Sequence, residues 1–244
     1  MQHFLEESTK RSPWKVGLIC DGQRLTYGEL ENRSNRLAHA LRDRGLQRGE
    51  RVVFYLPNSV ELVVGIFAAL KAGGVSVAIR YTTKLPKLAY ILNNCQASAL
   101  VTCRQQLPGA QRLAREVPSL KTVVVASLSP DQERAEGFLS FERIQEDYPA
   151  HLPPTVNIDL DLAFLIYSST SAEPKGVMSD HSNVVFASGS IIKFLQNVPS
   201  DIVINVLPLS FDYGLYQLLM VIRFGGTLVL EKGFTYPAAI LKRM

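Results

Sequence analysis

Apolar positions along this chain follow two periods, and each switch between them marks an element. Leu30, Leu37, Ala38 and Leu41 recur at helical spacing, and Gly45 stands where such a helix would stop. Residues 51–56 form a short apolar run closed by Pro57, which reads as a strand. Ser59 is placed to cap a helix, with Glu61 in its first turn. Val60, Val63, Val64, Phe67, Ala68 and Lys71 continue that helix until Gly73 and Gly74 end it. A strand over 75–79 and a helix over 85–93 follow. Two buried strands over 99–102 and 122–126 enclose another helical stretch.

Strands that alternate with helices of this length predict a mainly parallel sheet covered on both faces, an α/β/α layering. Residues 127–160 are more polar and carry Pro149, Pro153 and Pro154, which reads as a connection. A second series then begins, with strands over 162–167, 202–207 and 227–230 and helices over 183–195 and 213–223. The expected organisation is a first α/β subdomain over 1–155 and the start of a second over 156–244. The second sheet is expected to be incomplete, with 227–230 as an unpaired apolar edge that promotes association. The chain stops at Met244 within what reads as a further helix over 238–243. On that ground the sequence reads as the N-terminal part of something longer.

Composition changes this picture only by exclusion. Hydrophobic residues make up 47% and charged residues 20%, which is ordinary for a folded chain and not for a disordered one. The net charge of +4 is spread without a basic run, and no zinc-finger or RNA-binding signature accompanies it. The excess suits an anionic small molecule at least as well as nucleic acid, and with those motifs absent no nucleic-acid partner is expected. The cysteines, Cys20, Cys95 and Cys103, have neither disulfide-frame nor zinc spacing and point to a reducing compartment. Residues 62–70 are the longest apolar stretch, about half of what a membrane span needs. The N-terminus lacks the basic-then-apolar order of a signal peptide, so a cytoplasmic protein is expected.

The segment 167–177 carries the chemistry. Four hydroxyl residues, Ser168, Ser169, Thr170 and Ser171, follow an apolar strand and precede Pro174, Lys175 and Gly176. Hydroxyls and backbone N–H groups in a tight loop donate to phosphate oxygens, and a lysine at its exit adds a point charge. On residue chemistry alone, a polar turn between two strands fits equally well.

This segment resembles the signature loop of AMP-forming acyl-CoA synthetases, luciferases and peptide-synthetase adenylation domains. Three further stretches resemble motifs of that family in the same order: Leu25-Thr26-Tyr27-Gly28-Glu29-Leu30, Leu70-Lys71-Ala72-Gly73-Gly74-Val75, and Phe211-Asp212 after Leu207-Pro208-Leu209. The resemblance covers essentially the whole chain. It implies that a carboxylic acid attacks the α-phosphate of ATP, giving an acyl-adenylate, and that a thiol of coenzyme A or a phosphopantetheinyl carrier then takes the acyl group. It implies phosphate binding by Ser168, Ser169, Thr170, Ser171 and Lys175, with Lys175 as the catalytic cation. It places Phe211, Asp212 and Gly214 near the acid. It implies Mg²⁺ as well, with its carboxylate ligand in family motifs that this sequence does not contain.

The departures are as specific as the matches. The loop is one residue shorter than the family pattern, and no glycine stands between Tyr167 and Lys175. Ala78-Ile79-Arg80-Tyr81 replaces the family's prolines after the strand. A second reading therefore stands beside the first: a non-catalytic remnant or binding module of the same fold. Asp212 is open between pairing with an amino-acid substrate's ammonium group and capping the next helix. His181 is expected to make a structural hydrogen bond at a helix start, Cys95 and Cys103 to be buried, and Trp14 to pack.

Overall fold

The computed structural model describes residues 1–129, 131, 137–167 and 174–233. Its helices are α1 (His3–Arg11), α2 (Tyr27–Asp43), α3 (Val60–Ala72), α4 (Leu85–Asn94), α5 (Leu107–Glu116), α6 (Phe141–Asp147), α7 (His181–Leu195) and α8 (Asp212–Phe224). Its strands are β1 (Val16–Cys20), β2 (Gln23–Thr26), β3 (Arg51–Phe54), β4 (Val75–Ala78), β5 (Ala97–Cys103), β6 (Thr122–Ala126), β7 (Leu139–Ser140), β8 (Leu162–Tyr167), β9 (Gly176–Asp180), β10 (Ile202–Asn205) and β11 (Thr227–Leu230).

The strands form two sheets. The larger runs β7-β6-β5-β3-β4-β8-β9, parallel except for the final β8–β9 pair. The smaller runs β10-β11-β1-β2, with the last pair antiparallel. Sheet membership cuts across residue 155 in both directions. β8 and β9, which follow the proline-rich connection, extend the first sheet, whereas β1 and β2 complete the second. The connection itself is strapped down: Asn157 Nδ2 donates to Leu70 O at 2.6 Å, and the Arg48 guanidinium makes two 2.8 Å bonds to the Asp161 carboxylate.

The expectation for 227–230 is corrected. β11 pairs with β10 on one side and β1 on the other, so it is interior to its sheet. An N-terminal strand separated from it by some two hundred residues of chain supplies the missing neighbour, and sequence order gave no hint of that return. Trp14 is corrected too, since its side chain is 88% exposed.

Two of the family-like motifs are structural. Thr26 caps α2, accepting from the Glu29 backbone N–H at 3.2 Å, while the Glu29 carboxylate accepts from the Thr26 N–H at 2.7 Å. Tyr27 is fully buried, and its hydroxyl donates to Gly226 O at 2.7 Å, joining α2 to the smaller sheet. Lys71 is buried near the end of α3 and bridges Glu31 of α2 at 2.8 Å and Glu6 of α1 at 3.2 Å. Burial alone would raise the Glu6 carboxyl, but Lys71 and His3 outweigh it and hold it below the usual range. For Glu31 burial wins and the carboxyl is raised. No helix among the described residues is long and apolar enough to cross a membrane.

Candidate functional site

Ser168, Ser169, Thr170 and Ser171 lie outside the described residues, so the structure describes only the two ends of the predicted phosphate loop. At one end, Tyr167 closes β8. Its ring lies against Gly176 of β9, and its hydroxyl donates to Asn94 Oδ1 at 2.6 Å. Burial pushes its phenol well above the usual range. At the other end, Pro174 is buried and Lys175 is exposed, with no ion pair to a described residue.

Tyr167 also lines a cleft of about 480 Å³. One wall comes from the end of β4 and the turn into α4, with Ala78, Ile79, Arg80 and Thr83. Ile166 and Val177 contribute from the β8–β9 pair, and Leu207, Pro208, Ser210, Phe211 and Asp212 from the segment entering α8. Three segments that are remote in sequence therefore meet beside the loop. The lining is mostly aliphatic and aromatic, with a few polar groups, the usual make-up of a small-molecule site.

Two buried asparagines shape the last of these walls. Asn58, between β3 and α3, donates from Nδ2 to Leu207 O at 2.9 Å and to Glu231 O at 2.8 Å. Its Oδ1 accepts from the Leu209 N–H at 3.0 Å. Asn205, at the end of β10, accepts from the Leu207 N–H and donates to Gly214 O, both at 2.9 Å. Each buried amide thus replaces the ladder bonds that an irregular segment forgoes. Sequence reasoning passed over both. The only available signal was an Asn set directly after Pro57 at a helix entry.

Phe211 and Asp212 line the cleft. Gly214 does not: it is buried, and a Cβ added there would overlap the Pro208 carbonyl oxygen. Its role here is to let the first turn of α8 approach the 207–208 backbone. Asp212 is the first residue of α8 and not its cap. Phe211 holds the cap position, and the Asp212 carboxylate accepts from the Tyr213 N–H at 2.9 Å.

His181 opens α7, outside the cleft. Its backbone N–H donates to Asp161 O at 3.0 Å, and its ring is buried with Nε2 unpartnered. Burial pushes the imidazole down to about 4, which keeps it neutral. All three cysteines are buried. Burial pushes the Cys95 thiol up to about 11, which keeps it protonated near neutral pH. His39 and His151, distant in sequence, bring their ring centroids within 4.6 Å of each other, and neither lines the cleft. Among the described residues no group of His, Cys, Asp and Glu is placed to hold a metal ion.

The family model described as AMP-binding enzyme matches residues 5–244. Gramicidin S synthase 2 of Brevibacillus brevis is 30% identical over 233 residues, which is 95% of this chain and 5% of the synthase. A medium/long-chain-fatty-acid–CoA/3-oxocholest-4-en-26-oate–CoA ligase of Mycobacterium marinum is 31% identical over 202 residues, 77% of this chain and 36% of the ligase. The crystal structure of an anthranilate CoA ligase in complex with anthranoyl-AMP superposes with a TM-score of 0.90 at 27% identity, covering 98% of this chain and 46% of that one. In each case the chain spans less than half of the relative's own length.

Proposed function

The chain belongs to the AMP-binding enzyme family, whose members are ATP-dependent acyl-adenylate-forming ligases, and from that premise we propose that it supplies the acid-binding cleft and the phosphate loop of such a ligase. The observation that carries this reading is the cleft beside Tyr167, where Phe211 and Asp212 meet the strand that leads into the predicted phosphate loop. The acid enters with its apolar body against Ile79, Ile166, Val177 and Leu207 and its carboxylate towards the loop. Lys175 and the hydroxyls of 168–171 hold the polyphosphate. A carboxylate oxygen attacks the α-phosphorus, the bond to the bridging oxygen breaks, and pyrophosphate leaves with its electron pair. The acyl-adenylate then passes its acyl group to a thiol, and AMP departs.

In this scheme Lys175 contributes charge to the leaving pyrophosphate, and the cleft contributes position. Mg²⁺ would supply further charge neutralisation on the phosphates when bound. No described residue cluster is assigned to it, and no step here depends on it. Asp212 would pair with the ammonium group if the acid is an amino acid, and the aliphatic lining would serve a fatty or aryl acid. Completion of both half-reactions is assigned to the chain together with the further polypeptide that its relatives contain.

Calorimetric titration with ATP and Mg²⁺, beside a Lys175→Ala control, tests this reading. Saturable binding that the control weakens is expected. A folded chain that takes up no ATP would favour the non-catalytic module, the reading supported by the shortened loop without glycine.

A further inference from the structure

The wall of the cleft formed by the turn from β4 into α4 carries a charge pattern that adenylate formation leaves unused. Arg80 is exposed and Lys87 half-buried, and both line the cleft. Neither makes an ion pair or side-chain hydrogen bond with a described residue. The turn that presents Arg80 is built and not loose. The Thr83 N–H donates to Arg80 O at 2.9 Å, the Tyr55 hydroxyl donates to Thr83 O at 2.8 Å, and the Tyr55 and Tyr81 rings lie 5.6 Å apart.

Local electrostatics oppose this arrangement of cations. Lys84 occupies the N-cap position of α4 without a capping bond, Lys87 lies in its first turn, and that turn holds no acidic residue. Cations at the positive end of a helix repel it, and a second cation, Arg80, lines the same cleft. Beneath them the surface is aliphatic, with Ile79, Ile91 and Ile166. An apolar floor with an unneutralised cationic rim is complementary to an anionic group joined to an apolar chain. Arg80 lies in the stretch where the sequence departs from the family's prolines, so the pattern belongs to this chain.

We propose that Arg80 and Lys87 bind a second anionic group, distinct from the carboxylate that is activated, at the end of an apolar chain lying on Ile79, Ile91 and Ile166. The proposal rests on the reading of the cleft as the site of acyl transfer. Two ligands have this chemistry: a dicarboxylic acid, and the phosphate of a phosphopantetheine arm.

Matched pairs separate them. Octanoate and suberate differ by the second carboxylate; pantetheine and 4′-phosphopantetheine differ by the phosphate. Each is titrated calorimetrically into the wild-type chain, an Arg80→Gln/Lys87→Gln variant and an Arg112→Gln control remote from the cleft. Thermal unfolding verifies that all three fold. The member of one pair that carries the extra anionic group is expected to bind about tenfold more tightly than its mate, and the double variant to erase that advantage while sparing the mate that lacks the group. The pair that shows the advantage identifies the source. Equal affinities within both pairs, or an advantage that survives the double variant, would overturn the proposal and leave the cleft reading intact. No binding of any of the four ligands by folded protein would overturn both.

Discussion

The centre of the larger sheet and the region around its β9 edge are built to different standards of closure. Around β3, β4 and β5, both faces are covered. Val52, Val53, Phe54, Val77, Leu100 and Val101 have no exposed surface, and the helices packed there are held by the buried Lys71 bridges. At the β9 edge, at the neighbouring helix α7 and at β10, the edge of the smaller sheet, apolar side chains are left uncovered. Val177, Met178, Phe186, Phe194 and Ile202 are each more than half exposed, and β9 and β10 are the outer strands of their sheets among the described residues. The same α/β pattern therefore yields a finished core in one region and an unfinished surface in the other. Hydrophobic stabilisation accrues per area removed from water, so substitutions in the two regions should differ sharply in effect.

The largest effect is expected inside the closed region. Lys71→Ala leaves Glu6 and Glu31 buried without their shared cation and should cost about 3–5 kcal/mol by urea unfolding. A loss below about 1 kcal/mol would mean that water or a rearranged His3 replaces the lysine.

Next in size is a pH effect at the boundary between the two regions, where His181 anchors α7. Its buried ring has a lowered pKa of about 4 against 6.5 when unfolded. Between those values the unfolded chain binds a proton that the folded chain refuses. Its stabilising share is thus complete above about pH 6.5, declines as pH falls and levels off below about 4. The shift corresponds to a contribution on the order of 3 kcal/mol. A urea midpoint series from pH 7 to pH 4 should fall less steeply in His181→Gln than in wild type. Parallel curves would contradict the buried neutral ring.

Asn58→Leu should cost about 2–3 kcal/mol, because Leu207 O, Glu231 O and the Leu209 N–H lose their buried partner. The same variant should weaken ligand uptake in the cleft more than Phe54→Ala does at comparable stability, since it frees the 207–212 wall. Equal losses of affinity would show that Asn58 acts through stability alone.

The smallest effect is expected in the open region. Phe186→Ser, at a side chain 78% exposed, should change stability by less than about 0.5 kcal/mol. It should also reduce self-association in sedimentation, because it dilutes an exposed apolar surface. A large loss of stability would show that this face is covered in solution.

Local rules carried far in this chain. The limits of β6, β8 and β11 coincide with those read from apolar runs, and the Ser59 cap and the Gly73 terminus of α3 stand where their chemistry placed them. The first 24 residues were not read as elements, because α1 is short and largely polar and β1 and β2 are brief. Of the residues named from the resemblance, Phe211 and Asp212 line the cleft, while Gly214 packs against the Pro208 carbonyl. Asn58, Asn205, Arg80 and Lys87 were invisible as a group, since no periodicity links residues that meet only after folding.

By itself, the sequence determined the α/β class, the family and most elements, because helix and strand periods, caps and the ordered motifs are short-range properties that a linear reading contains. Only the tertiary structure decided which strand lies beside which. It sent β8 and β9 into the first sheet, closed the edge of β11 with β1, and made a cleft from the ends of β4 and β8 and the entry to α8. The physical reason is that pairing across sequence distance is chosen by shared burial and by a few long-range polar bonds, such as those of Asn58 and Tyr27, whose partners are backbone atoms that every residue carries. Backbone partners leave no mark in a sequence, so those choices appear only once the chain is folded.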